Sequence, residues 1–271
     1  MSDNLRSALD LANFAALIGV AAFFLTWEAG DPRFAFPHAS ARWRHVARNA
    51  GLLAVFGLAS AVLLTVIVPS LTLFDAQQGL LSGLPRPLQV VLGVLILDIF
   101  QYAWHRLCHR VPWLWRLHRV HHADPHLDVS TGARFHPIEA ILGLIAKVAI
   151  LAVLGLPIWI EGVRILFSNP LALAQHANVA FPDWLERWPR WLIVTPGLHR
   201  VHHSTNPDHY DRNFGETLSV WDRLFGTYDA PSARITGVGL QDVQDERHQT
   251  LPGMLAMPWR EVTSATVRAA R

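Results

Sequence analysis

The stretch His105–His122 reads HRLCHRVPWLWRLHRVHH, and HRVHH returns at His199–His203. In the first, His105 and His109 stand four apart, and His118, His121 and His122 follow at i, i+3, i+4. His199, His202 and His203 repeat that second spacing. On a helix such offsets bring the imidazoles to one face, about a turn apart. Two or three side chains of one helix can then grip one metal ion. Histidine makes up 15 of 271 residues, so a chance HxxHH is expected roughly 0.05 times in a chain of this composition. Two of them beside an HxxxH predict a metal site.

Imidazole nitrogen suits Zn, Fe, Cu and Ni, and it disfavours Mg and Ca. These eight histidines exceed the three or four that one ion takes, so the spacing predicts two metals. Soluble di-iron bundles use Glu-x-x-His on their helices, a pattern this chain lacks. The expected ligand set is therefore almost all imidazole and neutral, with open positions for a small molecule. The single cysteine, Cys108, allows no intrachain disulfide, and free cysteine of this kind is more often packing than ligand. His38, His45, His126, His209 and His248 stand apart from the motifs and are expected to be polar residues at a membrane surface.

Supporting groups follow from the same helical arithmetic. Asp98, Tyr102, His105 and His109 fall at i, i+4, i+7, i+11, on one face. An Asp in an apolar span needs a partner. The ring N–H of a metal-binding His is the expected one, and it would fix that ring's tautomer. Asp124, two residues after His122, and Asp222 are weaker candidates for the same duty. His136 and Glu139, three apart at the start of an apolar run, are expected to line the site.

The elements that must position these residues are apolar helices. Hydrophobic residues make up 51% of the chain and charged ones 16%, with a mean hydropathy of +0.24, where a soluble domain carries about one quarter charged. The fold expected is all-α, a polytopic membrane bundle of four to five spans. Runs at 8–27, 51–74, 88–104 and 138–160 are each long enough to cross a bilayer. A weaker fifth run, 162–180, contains Pro170, which should kink it. Phe23, Phe24, Leu25 and Trp27 stand where a signal-peptide cleavage site would need small residues, which favours a span there.

Arginine falls on alternate loops: four in 28–50, five in 105–136 and many after 184, against one and none in the turns at 75–87 and 157–163. By the positive-inside rule the amino terminus is then outside and every histidine motif inside. That makes a histidine-rich helical cap on the cytoplasmic side of an inner membrane. Trp184, Trp188 and Trp191, mixed with Arg187 and Arg190, predict a segment along the headgroup boundary. Three units are expected: 1–90 with the first spans, 91–230 with the histidine site, and a polar tail at 231–271. The net charge of +2 gives no reason to expect a nucleic-acid partner.

HRLCH, LHRVHH and the second LHRVHH resemble the three histidine boxes of the fatty acid hydroxylase/sterol desaturase superfamily. RFHPIE (134–139), QHANV (175–179) and NFGETLSVWDRLFGTY (213–228) extend that resemblance over about 95–230. The resemblance implies a di-metal centre, described as di-iron, that activates O2 to attack an unactivated C–H of a lipid. It implies as ligands His105, His109, His118, His121, His122, His199, His202 and His203, with His176 as a ninth. Some relatives carry another His four residues after that ninth position, where this chain has Ala180. One metal is then expected to be a ligand short, with a water held by Asn178 as substitute.

The function expected is that of a membrane hydroxylase acting on a sterol, fatty acyl chain, ether lipid or carotenoid. Two iron ions and O2 are the expected cofactors, with zinc a possible substitute. Desaturation by the same centre is the alternative. No cytochrome b5-like segment or nucleotide fingerprint occurs in the chain, so electrons are expected from a separate ferredoxin- or cytochrome-type protein. A metal transporter would spread ionisable residues along several spans, whereas here only Asp98 and Lys147 sit mid-span. A metallohydrolase would carry HExxH or a general-base Glu within the motifs, and neither is present.

Overall fold

A computed structural model describes residues 3–71, 79–230, 235 and 237–261. The apolar runs become helices α1 (Asp3–Gly30), α2 (Ala39–Leu71), α3 (Arg86–Arg110) and α5 (Pro137–Leu154). Residues 72–74 of the expected second span lie outside the described residues. All four helices are long and apolar enough to cross a bilayer. The most apolar windows of α1 and α2 are only 6% and 11% buried, against 28% for α3 and α5, so α1 and α2 are the outer, lipid-facing pair. The chain is an integral membrane protein.

The expected fifth span falls on α6 (Trp159–His176), which lies against α1 and α3 but is not one of the four helices apolar enough to cross. Its first turns carry charge in place of an apolar face. Glu161 pairs with Lys147 at 2.8 Å and Arg164 at 2.7 Å, and Arg164 reaches Glu216 at 2.6 Å. Pairing is what makes such charges tolerable among spans. Pro170 sits inside α6 without ending it.

Two layers of contacts give the bundle its ends. At one end the amides of Leu80 and Leu81 donate to the carbonyls of Val153 and Leu154, and Asn13 donates to the carbonyl of Gly162. At the other end Glu28, at the top of α1, accepts from the amides of Val129 and Asn178, both at 2.8 Å, and pairs with Arg42. Every histidine motif lies at this second end.

Proline sets where the site helices begin. Val111 is extended (φ −96°, ψ 116°) and precedes Pro112, the first residue of α4 (Pro112–His122). A residue before proline is pushed out of the helical region, and proline is well placed at a helix start. The break turns α4 back onto α3. Thr195 and Pro196 do the same for α8 (Pro196–His202), as His136 and Pro137 do for α5.

Between α6 and α8 lies the short α7 (Asp183–Arg187). Trp184, Trp188 and Trp191 are 64%, 68% and 62% exposed, so they are no part of the core. The carboxyl-terminal segment packs inward: Leu240, Val243, Met254 and Met257 share one apolar cluster with Leu52, Trp115 and Val120. Arg119, fully buried, donates to the carbonyls of Met257 and Arg260.

Candidate metal centre

The nine histidines named from the sequence, His176 included, come together and are all buried. They divide into two sets whose nitrogens lie within 4.8 Å of one another: His105, His109, His118, His122 and His202, and His121, His176, His199 and His203. The division does not follow the motifs. α4 sends His118 and His122 to the first set and His121 to the second. α8 with its capping residue sends His202 to the first, and His199 and His203 to the second. The sets adjoin, with the rings of His122 and His203 stacked 4.5 Å apart.

In the first set four of the five outer nitrogens are held. His105 Nδ1 meets the carbonyl of Phe214 at 2.9 Å, His109 Nδ1 meets Asp211 at 3.2 Å, His118 Nδ1 meets Glu139 at 2.8 Å and His202 Nδ1 meets the carbonyl of Arg212 at 2.7 Å. An oxygen acceptor places the proton on Nδ1 and leaves Nε2 as a lone-pair donor. The Nε2 atoms of His105, His118 and His202 are buried without a hydrogen-bond partner among the described residues. In the second set His176 Nδ1 meets the carbonyl of Ala172 at 2.6 Å. Its Nε2 faces His121 Nε2 at 3.2 Å and His199 Nε2 at 2.8 Å.

Buried polar atoms are rarely left unpaired. Convergent buried imidazoles, five of them anchored by an outer oxygen and three left with an unpartnered inner nitrogen, fit divalent transition-metal ions. The rings are also neutral: burial, followed by repulsion from neighbouring rings, holds His121, His122, His199 and His203 well below the usual imidazole range. Burial lowers His202 to about 3 despite the carbonyl of Arg212. Neutral imidazole is the form that ligates.

Three expectations about supporting residues are overturned. Asp98 does not face a histidine: its Oδ2 accepts from Trp221 Nε1 at 2.7 Å and the amide of Leu218 at 3.3 Å. It anchors the 217–221 segment because that segment, not a ring N–H, supplies donors beside this turn of α3. Asn178 spends its side chain away from the metal site. Its amide clamps the backbone of Phe34 on both sides at 2.8 Å, tying the 31–38 loop to the end of α6. His136 caps α5, accepting from the amide of Ile138, while its Nε2 meets the carbonyl of Leu255. That turns it toward the carboxyl-terminal segment and away from the site. Its neighbour Glu139 lines the site as expected, and Cys108 is buried with Sγ 3.8 Å from Glu139 Oε1.

Asp124 and Asp222 work one step further out. Asp222 accepts from the amides of Phe214 and Gly215 and from Thr227. It thereby shapes the loop whose carbonyls hold His105 and His202. Asn213 at the head of that loop is left-handed (φ 55°) and binds the carbonyls of Leu198 and Asp229. Asp124 lies between His45 (3.2 Å), Thr131 (2.6 Å) and Arg134 (3.9 Å). Burial pushes its carboxyl up, and the charges of His45 and Arg134 outweigh that, holding it well below the usual range. His45 is accordingly a buried residue of this network, not the membrane-surface group expected. Asp211 was not legible at all, since no spacing links it to His109.

A cavity of about 220 Å³ opens on both histidine sets, with His105, His118, His121, His176 and His199 in its wall. Leu17, Leu53, Phe56, Trp104 and Leu173 make it largely apolar, and Gln101, Asn169, Gln175, Glu139 and Glu216 add polar groups. Among the described residues no lysine or arginine lines it.

Residues 90–227, which include all nine histidines, match the family model for fatty acid hydroxylase. The chain belongs to the fatty acid hydroxylase family. Within this family's wider superfamily it is similar to the ornithine lipid hydroxylase OlsE of Rhizobium tropici, 36% identical over 162 residues covering 58% of this chain and 46% of that protein. It is 32% identical over 160 residues to the alkylglycerol monooxygenase of Danio rerio, covering 53% and 31%. Cholesterol 25-hydroxylase of Rattus norvegicus is 27% identical over 168 residues, covering 59% and 53%. The chain thus spans about half, or less, of the length of these relatives. No solved structure matches it.

Proposed function

We propose that this protein is a membrane hydroxylase that uses O2 and two iron ions to place a hydroxyl on an unactivated C–H of a lipid. The observation that carries the reading is the division of nine buried imidazoles into sets of five and four beside one apolar cavity. When bound, an iron pair supplies the reduction of O2 and the removal of hydrogen from carbon. The chain's own residues do the rest. His105, His109, His118, His122 and His202 hold one ion, and His121, His176, His199 and His203 hold the other. No further ligand at Ala180 is needed for a four-nitrogen set.

Glu139 and Asp211 orient two of the rings through Nδ1, and the 212–214 backbone orients two more. The cavity excludes water and seats the lipid beside the ions. Membership of the family and the lipid-acting names of its relatives support the reaction class. Electrons come from a separate ferredoxin- or cytochrome-type protein that docks on the cytoplasmic face of an inner membrane. Residues 91–230 form the catalytic unit, and 1–90 supply its lipid-facing spans.

Lipid extracts from cells with the protein, without it, and with His202→Ala test the proposal. Mass spectrometry should find lipids heavier by one oxygen only with the parent. Identical extracts from all three would overturn it.

A further inference from the structure

We propose that the substrate's alkyl chain enters from the bilayer between α1 and α2 and lies with its polar end at the histidines. The oxidised carbon is then near the polar end of the lipid and not near its terminal methyl. This rests on the hydroxylase reading above.

Depth is the first argument. Glu28 on α1 and Asn49 on α2 both contact the turn at 129–131, at histidine level. Leu17 lies 11 residues before Glu28 and Phe56 lies 7 after Asn49, which is roughly 16 Å and 10 Å of helix. Both line the cavity. The chamber therefore runs from the histidines about a third to half of the way through a hydrocarbon core of ~30 Å.

Access is the second. α1 packs along α6 and α2 along α5, so lipid lies outside the cleft between α1 and α2. Leu53 is 39% exposed and also lines the cavity, so the chamber reaches the lipid-facing surface there.

Polarity is the third. Glu139 holds a ring of the first set, Gln175 precedes His176 and Gln101 lies one turn before His105, so three lining groups sit at the histidine end. Glu216 is already paired with Arg164, and Asn169, seven residues before His176, is the polar group deeper in the wall. Glu139 Oε2 is buried without a partner among the described residues, an acceptor available to a hydroxyl or amide N–H. A lipid sliding sideways keeps its head at the interface and its chain in hydrocarbon. Inverted, it would carry its polar head away from water to mid-bilayer depth, where a polar group without a full set of partners is disfavoured.

The test has two arms. In the first, fragmentation mass spectrometry locates the added oxygen in lipids of expressing cells. The expected position is within the first few carbons of the polar end, and oxygen near the terminal methyl overturns the proposal. The second needs no turnover: thermal unfolding of the metal-free protein in detergent with 1-O-hexadecylglycerol or 1-O-octylglycerol. Phe56→Trp and Leu17→Trp fill the deep end and should weaken stabilisation by the long-chain probe at least 10-fold while sparing the short one. Leu58→Trp, 70% exposed and outside the cavity, should change neither. Equal responses to both probes, or the same loss with Leu58→Trp, overturn the proposal. Chain-length selectivity without any oxygenated lipid would instead refute the hydroxylase reading.

Discussion

Glu139 holds His118: its Oε1 accepts from ring Nδ1 at 2.8 Å, and the two side chains are only 4% and 3% exposed. The contact crosses from α5 to α4, so a carboxylate on one helix sets the tautomer of a ring on another. Replacing Glu139 with Gln keeps the size and an acceptor but removes the charge. Metal affinity should fall about 10- to 100-fold, the usual effect of losing such a partner, as measured by titrating metal into the purified apoprotein. Parental affinity would mean that packing alone orients His118.

Asp98 and Trp221 make a contrasting pair. The bond from the indole N–H to Oδ2 joins α3 to the 213–228 segment, with Asp98 buried and Trp221 half-buried. Asp98→Leu strands that donor and should cost about 1–3 kcal/mol, read as a lower unfolding temperature. Trp221→Phe should cost a similar amount, and the double variant less than the sum. Asp98→Asn retains an acceptor and should load metal like the parent. A metal defect in Asp98→Asn with unchanged stability would contradict this account.

The two histidine sets predict a stoichiometry. Protein kept from chelators should carry two metals per chain by elemental analysis. The His199→Ala, His203→Ala double variant removes half of the four-ring set and should retain one. Two metals in that variant, or one in the folded parent, would refute the assignment.

Orientation can be read by cysteine labelling in a Cys108→Ser background. Ser82→Cys and Pro157→Cys, at the end away from the histidines, should react with an impermeant reagent from outside. Arg247→Cys, whose native side chain is 72% exposed, should react only from inside. Residue 271, expected inside on the same charge argument, lies outside the described residues. External labelling at 247 would reverse the topology.

Much of this molecule is local and was therefore readable along the chain. Apolar run length specified the four spans, and prolines 112, 137 and 196 specified where the site helices begin, because the residue before a proline is biased out of the helical region. The spacing of the motifs identified all eight box histidines, and the resemblance added His176. What spacing could not decide is which ring joins which set. His121 and His122 are neighbours, yet successive residues on a helix point roughly 100° apart, so they go to different sets. Helical arithmetic likewise put Asp98 on the histidine face of α3 but could not say which donors would arrive opposite it.

Partners come from whichever segment the antiparallel packing delivers. Trp221 reached Asp98, Phe34 reached Asn178, Leu255 reached His136 and Asp211 reached His109. Those pairs are separated by 102–144 residues. Periodicity describes one element at a time, so it singles out which histidines could serve as ligands. Their grouping exists only once α3, α4, α6 and α8 are packed together, and the cavity they face and the partner Glu139 need α1, α2 and α5 as well.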